Sequence, residues 1–328
     1  MRKRECAKPC SRNLFKIIHF TKARRGCNVS SYPERLWWSS DMTVCVAAIC
    51  RPDHSIIGIS DTMVSNDYFS ADYHATKIKR VGARWLTMFA GELSPVTPIV
   101  DAARTRLAAQ PDENASDVAA AFAEAFIEYR IGETERRYLS PYGMKMPEFL
   151  AKGREYFGDS GFAAMKYEID SFHVNVEFLL CGFSTNGVGH ILTIKDPGVF
   201  AYHDMPGFHA IGSGDIGAIG MLYANHARLA CLEETFYRVC EAKFVSEIAP
   251  GVGELTIGFI LRPDGETIVL APDELAKVKS LWKRKGRPKI PSGAAEEIVH
   301  VIAIATDQAK RAREKRATAN SAGMGGGN

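Results

Sequence analysis

Between residues 43 and 270 the chain sets out its elements in blocks: short apolar strands, two helices, strands, two helices, strands. That order argues against a doubly wound parallel sheet, in which strands and helices alternate one by one. It suits two antiparallel sheets packed together with helix pairs outside. TVCVAAIC and SIIGISD flank the turn signal RPDH and predict a hairpin. KIKRVG and RWLTMFAG predict a second, with Gly91 closing the latter strand. SPVTPIVDAARTRLAAQ, opening on a Ser94 cap, and ENASDVAAAFAEAFIEYRIGETERRYL carry helical spacing. FHVNVEFLLCGF, GHILTIKDPG and VFAYHDMPGFHAIG predict a β-meander, followed by helices over SGDIGAIGMLYANH and LEETFYRVCEAKFVSEI. GELTIGFILRPDGETIVL predicts a hairpin around Pro-Asp-Gly. Residues 140–170 mix turns with short helical pieces and read as an insertion or lid. AAEEIVHVIAIATDQAKRAREKRA predicts a last helix running into a disordered Gly-rich tail.

The chain has 328 residues, of which 46% are hydrophobic and 24% charged, an ordinary globular composition. No apolar run approaches the roughly 18 residues that a membrane span needs. Residues 1–41 hold ten Lys/Arg against three acids and residues 310–328 five against one, so the body between carries about −8. The basic ends read as solvated tails, with no nucleic-acid partner implied. The first 41 residues are Arg-rich and aperiodic, and their apolar piece LFKIIHF is too short and interrupted for a secretory signal. Residues 1–42 are therefore expected to be a leader, a propeptide or misassigned upstream sequence. Residues 43–290 would form the main domain with its 140–170 insertion, and residues 291–328 a C-terminal helix and tail. Cys45, Cys50, Cys181, Cys231 and Cys240 form no CxxC pair, which fits buried thiols in a reducing, cytoplasmic compartment better than disulfides or zinc.

Five stretches stand in order: Thr43 opening the first strand, GISDTMVS with Asp61, ATKIKRV with Lys77, FAGELSP with Gly91, and FHAIGSGDIGAIGML with Gly212, Ser213 and Gly214. Together they resemble the proteasome β-subunit family of N-terminal-nucleophile (Ntn) hydrolases, including bacterial proteasome-like ring peptidases. The resemblance covers most of residues 43–270 outside the insertion. It implies an α+β fold, a four-layer αββα sandwich of two antiparallel sheets flanked by helix pairs. The implied activity is that of a threonine peptidase, with a peptide or protein substrate, a homo-oligomeric ring, an unfoldase ATPase partner, and neither metal nor organic cofactor.

The chemistry is coherent with those residues. A threonine hydroxyl is a poor nucleophile near neutral pH and needs a base within hydrogen-bond reach; an α-amine on the same residue is such a base. Its ordinary pKa, near 8, suits proton shuttling. While Met42 remains attached, the Thr43 nitrogen is an amide without basicity. By the resemblance, Lys77 lowers the hydroxyl pKa, Asp61 keeps Lys77 charged and oriented, the Gly91 N–H forms the oxyanion hole, and Ser213 positions the amine. Ser213 also suits a helix N-cap. The family's Asp-x-x-Ser-Gly group corresponds to EIAPG here, with Glu247 in place of the aspartate and Pro250, lacking a hydroxyl, in place of the serine. Cys45 lies inside the first strand and is a nucleophile only if cleavage exposes it. Two other readings share the fold: a non-catalytic ring or scaffold subunit, and a small-molecule amidase.

Overall fold

The computed structural model describes residues 43–286 except 52, 66–69, 73–75, 110–112 and 226–230. The leader and the segment 291–328 lie outside the described residues. The described residues begin with β1 (Cys45–Cys50), β2 (Ser55–Asp61), β3 (Met63–Ser65), β4 (Ser70–Asp72), β5 (Ile78–Arg80) and β6 (Trp85–Gly91). Helices α1 (Val96–Ala108), α2 (Ala115–Thr134) and α3 (Met146–Ser171) follow. Next come β7 (Val176–Phe183), β8 (Gly189–Lys195), β9 (Val199–Tyr202) and β10 (Phe208–Ile211), then α4 (Asp215–Ala224) and α5 (Leu232–Ser246). Strands β11 (Thr256–Leu261) and β12 (Thr267–Leu270) lead to α6 (Pro272–Leu281).

This is an α+β arrangement with two five-stranded antiparallel sheets, ordered β10-β1-β2-β11-β12 and β5-β6-β7-β8-β9, beside the small hairpin β3-β4. Strands β2, β6 and β7 read as nearly continuous apolar runs because both of their faces are covered. Successive side chains in a strand point to opposite faces. Accordingly Val46 and Ala48 join Ile57, Ile59, Val239 and Cys240 in a cluster under α4 and α5. Their neighbours Cys45 and Ala47 join Met88, Leu179 and Cys181 in a cluster shared by the two sheets. On the far face of the second sheet, Phe122 and Phe126 of α2 pack edge-on to Phe178, with ring centroids 5.5 and 6.4 Å away. Burying each such ring contributes about 2–3 kcal/mol.

The structure departs from the sequence reading in four places. VFAYHDMPGFHAIG is two strands in different sheets: β9 is an edge of the second, and β10 pairs with β1 in the first. Ser94 is not the cap of α1; Pro95 occupies that position, with no side-chain cap bond. The 140–170 stretch is mostly α3, interrupted at Gly158 (φ 67°, ψ 171°). Across that break Phe149 and Phe162 stack at 4.9 Å. Thirteen residues of unbroken helix would hold them about 20 Å apart, so the two arms fold back on each other. Finally, α6 went unforeseen, although Pro272 in its first turn followed by Asp273 and Glu274 is a helix-start signal. The Glu274 carboxylate accepts from Ala271 N–H at 2.9 Å, and Leu275 is buried against the helices of the first sheet.

Where the chain crosses between sheets, His203 and His209 stack at 3.6 Å. His203 Nε2 and Thr193 Oγ1 are hydrogen-bonded at 3.0 Å. Burial pushes His209 down to about 4, helped by His203 and Lys195. Burial also lowers His203, against the pull of Asp204. Both rings are thus neutral in the fold, whereas the unfolded chain takes up protons below about pH 6.5. Their stability contribution is complete above that pH and is lost as pH falls toward 4. Chemical denaturation is expected to show a loss of about 2 kcal/mol across that window, after allowance for partial solvent contact. His209→Gln is expected to flatten this part of the curve; an unchanged slope would contradict the assignment.

Candidate active site

Three segments distant in sequence meet at the ends of two hairpins. Thr43 lies just before β1, Asp61 ends β2, and Lys77 lies just before β5. Asp61 is fully buried, and both carboxylate oxygens are saturated. Its Oδ1 accepts from Thr43 Oγ1 at 2.5 Å, Val44 N at 3.0 Å and Lys77 Nζ at 3.1 Å. Its Oδ2 accepts from Met63 N at 3.0 Å, Gly253 N at 3.2 Å and Lys77 Nζ at 3.1 Å. Burying an ion pair is costly, and only good geometry with extra hydrogen bonds offsets that cost; this pair has both. Lys77 Nζ also donates to Thr43 Oγ1. The hydroxyl oxygen therefore sits between an ammonium and a carboxylate, and the ammonium favours any negative charge that develops on it.

The Gly212-Ser213-Gly214 turn wraps the Thr43 backbone. Gly212 has φ 92°, and a Cβ there would lie 2.4 Å from the Thr43 carbonyl oxygen. Only glycine fits both the backbone angle and the approach. Gly214 N donates to that carbonyl at 3.3 Å. Thr43 N donates to Ser213 Oγ at 3.3 Å, and the Ser213 hydroxyl lies 3.3 Å from Thr43 O and 3.2 Å from Pro250 O. Ser213 does not cap α4; Gly214 holds the N-cap position. Asp215, the first residue of α4, accepts from Ile216 N, which leaves an acid where an anion-binding turn would need none.

No family model matches this chain, and no curated protein matches it significantly.

Thr43, Asp61, Lys77 and Ser213 are thus joined by direct contacts, while Gly91 and Glu247 form no hydrogen bond to them among the described residues. Gly91 ends β6 with φ 100°, opposite Val176 of β7. The end of β6 runs beside the start of β1, since Cys45 Sγ donates to Phe89 O at 3.3 Å. Glu247 caps the end of α5 and binds Lys243 and Lys279, at 2.6 and 2.7 Å. Pro250 has no side-chain hydroxyl, and its backbone carbonyl accepts from Ser213 Oγ at 3.2 Å. Cys45 is fully buried, and burial pushes its thiol up to about 12, so it is inert as a nucleophile. Four of the five body cysteines are buried; Cys231 is exposed.

Two contributors escaped the sequence reading. Gly253 carries no side chain to signal its N–H bond to Asp61. Lys243 and Glu247 stand four apart on a helix, a visible ion-pair spacing, but nothing in the spacing announces that Lys243 is completely buried.

Proposed function

We propose that the protein is a threonine-type Ntn amidohydrolase, a proteasome-like peptidase acting through an acyl-enzyme. The observation that carries this reading is the buried contact of Thr43 Oγ1 with both Lys77 and Asp61. Supporting it, one apolar cluster is shared by the sheets and further clusters lie between each sheet and its helices, the order of an αββα sandwich.

In the proposed reaction the 42–43 peptide bond is first broken, which turns the Thr43 nitrogen into an amine beside Ser213. The amine takes the hydroxyl proton as Oγ1 attacks the scissile carbonyl, and Lys77 stabilises the developing charge. The Gly91 N–H receives the oxyanion. Collapse of the tetrahedral adduct breaks the C–N bond, and the leaving amine departs with the proton held by Thr43. Water, deprotonated by the same amine, then attacks the ester, releasing the acid and restoring the hydroxyl.

A homo-oligomeric ring, with an unfoldase ATPase as partner, is part of the proposal. It is supported by the edge strand β9, whose Val199, Phe200 and Tyr202 are exposed. An exposed apolar edge of this kind invites pairing with another chain. Among the described residues no helix is long and apolar enough to cross a membrane.

The direct test is acylation by a peptide β-lactone, which opens on a nucleophilic hydroxyl. One adduct per chain is expected on Thr43, and none in Thr43→Ala. Labelling that persists in the variant would reject Thr43 as the nucleophile.

A further inference from the structure

Lys243 lies on α5 with its side chain fully buried. Its ammonium donates to Glu247 Oε1 at 2.6 Å, to Gly253 O at 2.8 Å and to Glu254 O at 3.2 Å, so all three hydrogens are used. An ammonium withdrawn from water is expensive, and a plain turn between a helix and a strand does not require one. Lys279 holds the Glu254 carboxylate at 3.2 Å, and two further polar contacts of this turn run to the candidate active site. The Pro250 carbonyl accepts from Ser213 Oγ at 3.2 Å, and Gly253 N–H donates to Asp61 Oδ2 at 3.2 Å. Gly253 therefore bridges the two buried ions through a single residue: its carbonyl faces Lys243 and its N–H faces Asp61. Glu247 holds Lys243 from the other side and is itself held by Lys279, at 2.7 Å. Burial pushes Lys243 down, opposed by Glu247 and more weakly by Asp61.

We propose that Lys243 is a positioning residue for the Thr43 nucleophile, fixing the 250–254 turn so that Gly253 holds Asp61 and Pro250 meets Ser213. This inference rests on Thr43 being the nucleophile. Without the ammonium, the Gly253 carbonyl loses its partner and the Glu254 carbonyl keeps only Thr256 Oγ1, at 3.3 Å; the turn relaxes, and Asp61 loses a charge-assisted hydrogen bond that orients it toward Thr43 and Lys77.

The experiment is β-lactone acylation of Thr43 measured across pH for the unsubstituted protein, Lys243→Met and Glu247→Gln, with near-UV circular dichroism to verify folding. The plateau rate is expected to fall about tenfold to a hundredfold in Lys243→Met and by a smaller factor in Glu247→Gln, with the half-saturating lactone concentration changed less than about twofold. A role in fold stability alone would lower the melting temperature and leave the plateau rate of folded protein unchanged; that result overturns the proposal. A purely through-space field also would overturn it. The two variants remove charges of opposite sign, so such a field would shift the acid limb in opposite directions with the plateau intact. If Lys243→Met does not fold, Glu247→Gln decides, and an unchanged plateau there refutes the proposal. If the unsubstituted protein is never acylated on Thr43, the reading of the site fails and this inference fails with it.

Discussion

Lys77→Met is expected to slow acylation of Thr43 by about three orders of magnitude. The ammonium touches the hydroxyl oxygen and lies 3.1 Å from each oxygen of Asp61. A unit charge at hydrogen-bond distance from a developing alkoxide is worth about 4 kcal/mol at an effective dielectric near 20, a factor of about 10³ in rate. Methionine keeps an unbranched chain only one atom shorter and removes the charge, so the loss reports electrostatics more than packing. The variant is also expected to be less stable by about 3 kcal/mol, because Asp61 stays buried without its counter-ion. The melting temperature should drop by about 6–12 °C in a domain of this size. Rates must therefore be taken well below the new midpoint. A folded Lys77→Met protein that reacts within tenfold of the unsubstituted one would remove Lys77 from the mechanism.

Asp61→Asn should have the largest effect on stability, about 3–5 kcal/mol. Asparagine offers one acceptor oxygen where the carboxylate offers two, and every direction around Asp61 is occupied by a donor. If the amide nitrogen replaces Oδ1, it confronts the donors of Thr43 and Val44. If it replaces Oδ2, it confronts Met63 and Gly253. Either choice sets donor against donor, and Lys77 loses its buried counter-charge. The double variant Asp61→Asn/Lys77→Met is expected to cost less than the sum of the singles, with a coupling of about 2 kcal/mol or more. Additivity within about 0.5 kcal/mol would show that the pair is not a unit.

Much of the fold was legible because its central strands are buried on both faces and therefore announce themselves as apolar runs. SIIGISD and RWLTMFAG are examples. The split of VFAYHDMPGFHAIG between two sheets was not legible. Its only local sign is the turn at Asp204–Gly207, no different in kind from the turn that joins β8 to β9 within one sheet. The site was legible in part. Asp61 and Lys77 are sixteen residues apart, and nothing in periodicity brings them together; only the resemblance carried by the five stretches did so. What stayed hidden was the support made by backbone and burial. The Pro250 carbonyl, the Gly253 N–H and the complete burial of Lys243 depend on how one turn closes, and peptide groups are the same in every sequence. The exposure of strand β9 was hidden as well, because nothing local in VFAY marks it as the edge of a sheet.

The central claim is that a free Thr43 amine and its hydroxyl act together. The most direct measurement is the N-terminal sequence and intact mass of the protein species that carries the β-lactone adduct. The expected species is a labelled chain beginning at Thr43, with the adduct on that residue. A labelled chain that still retains Met42 ahead of Thr43, or an adduct mapped to any other residue, would contradict it.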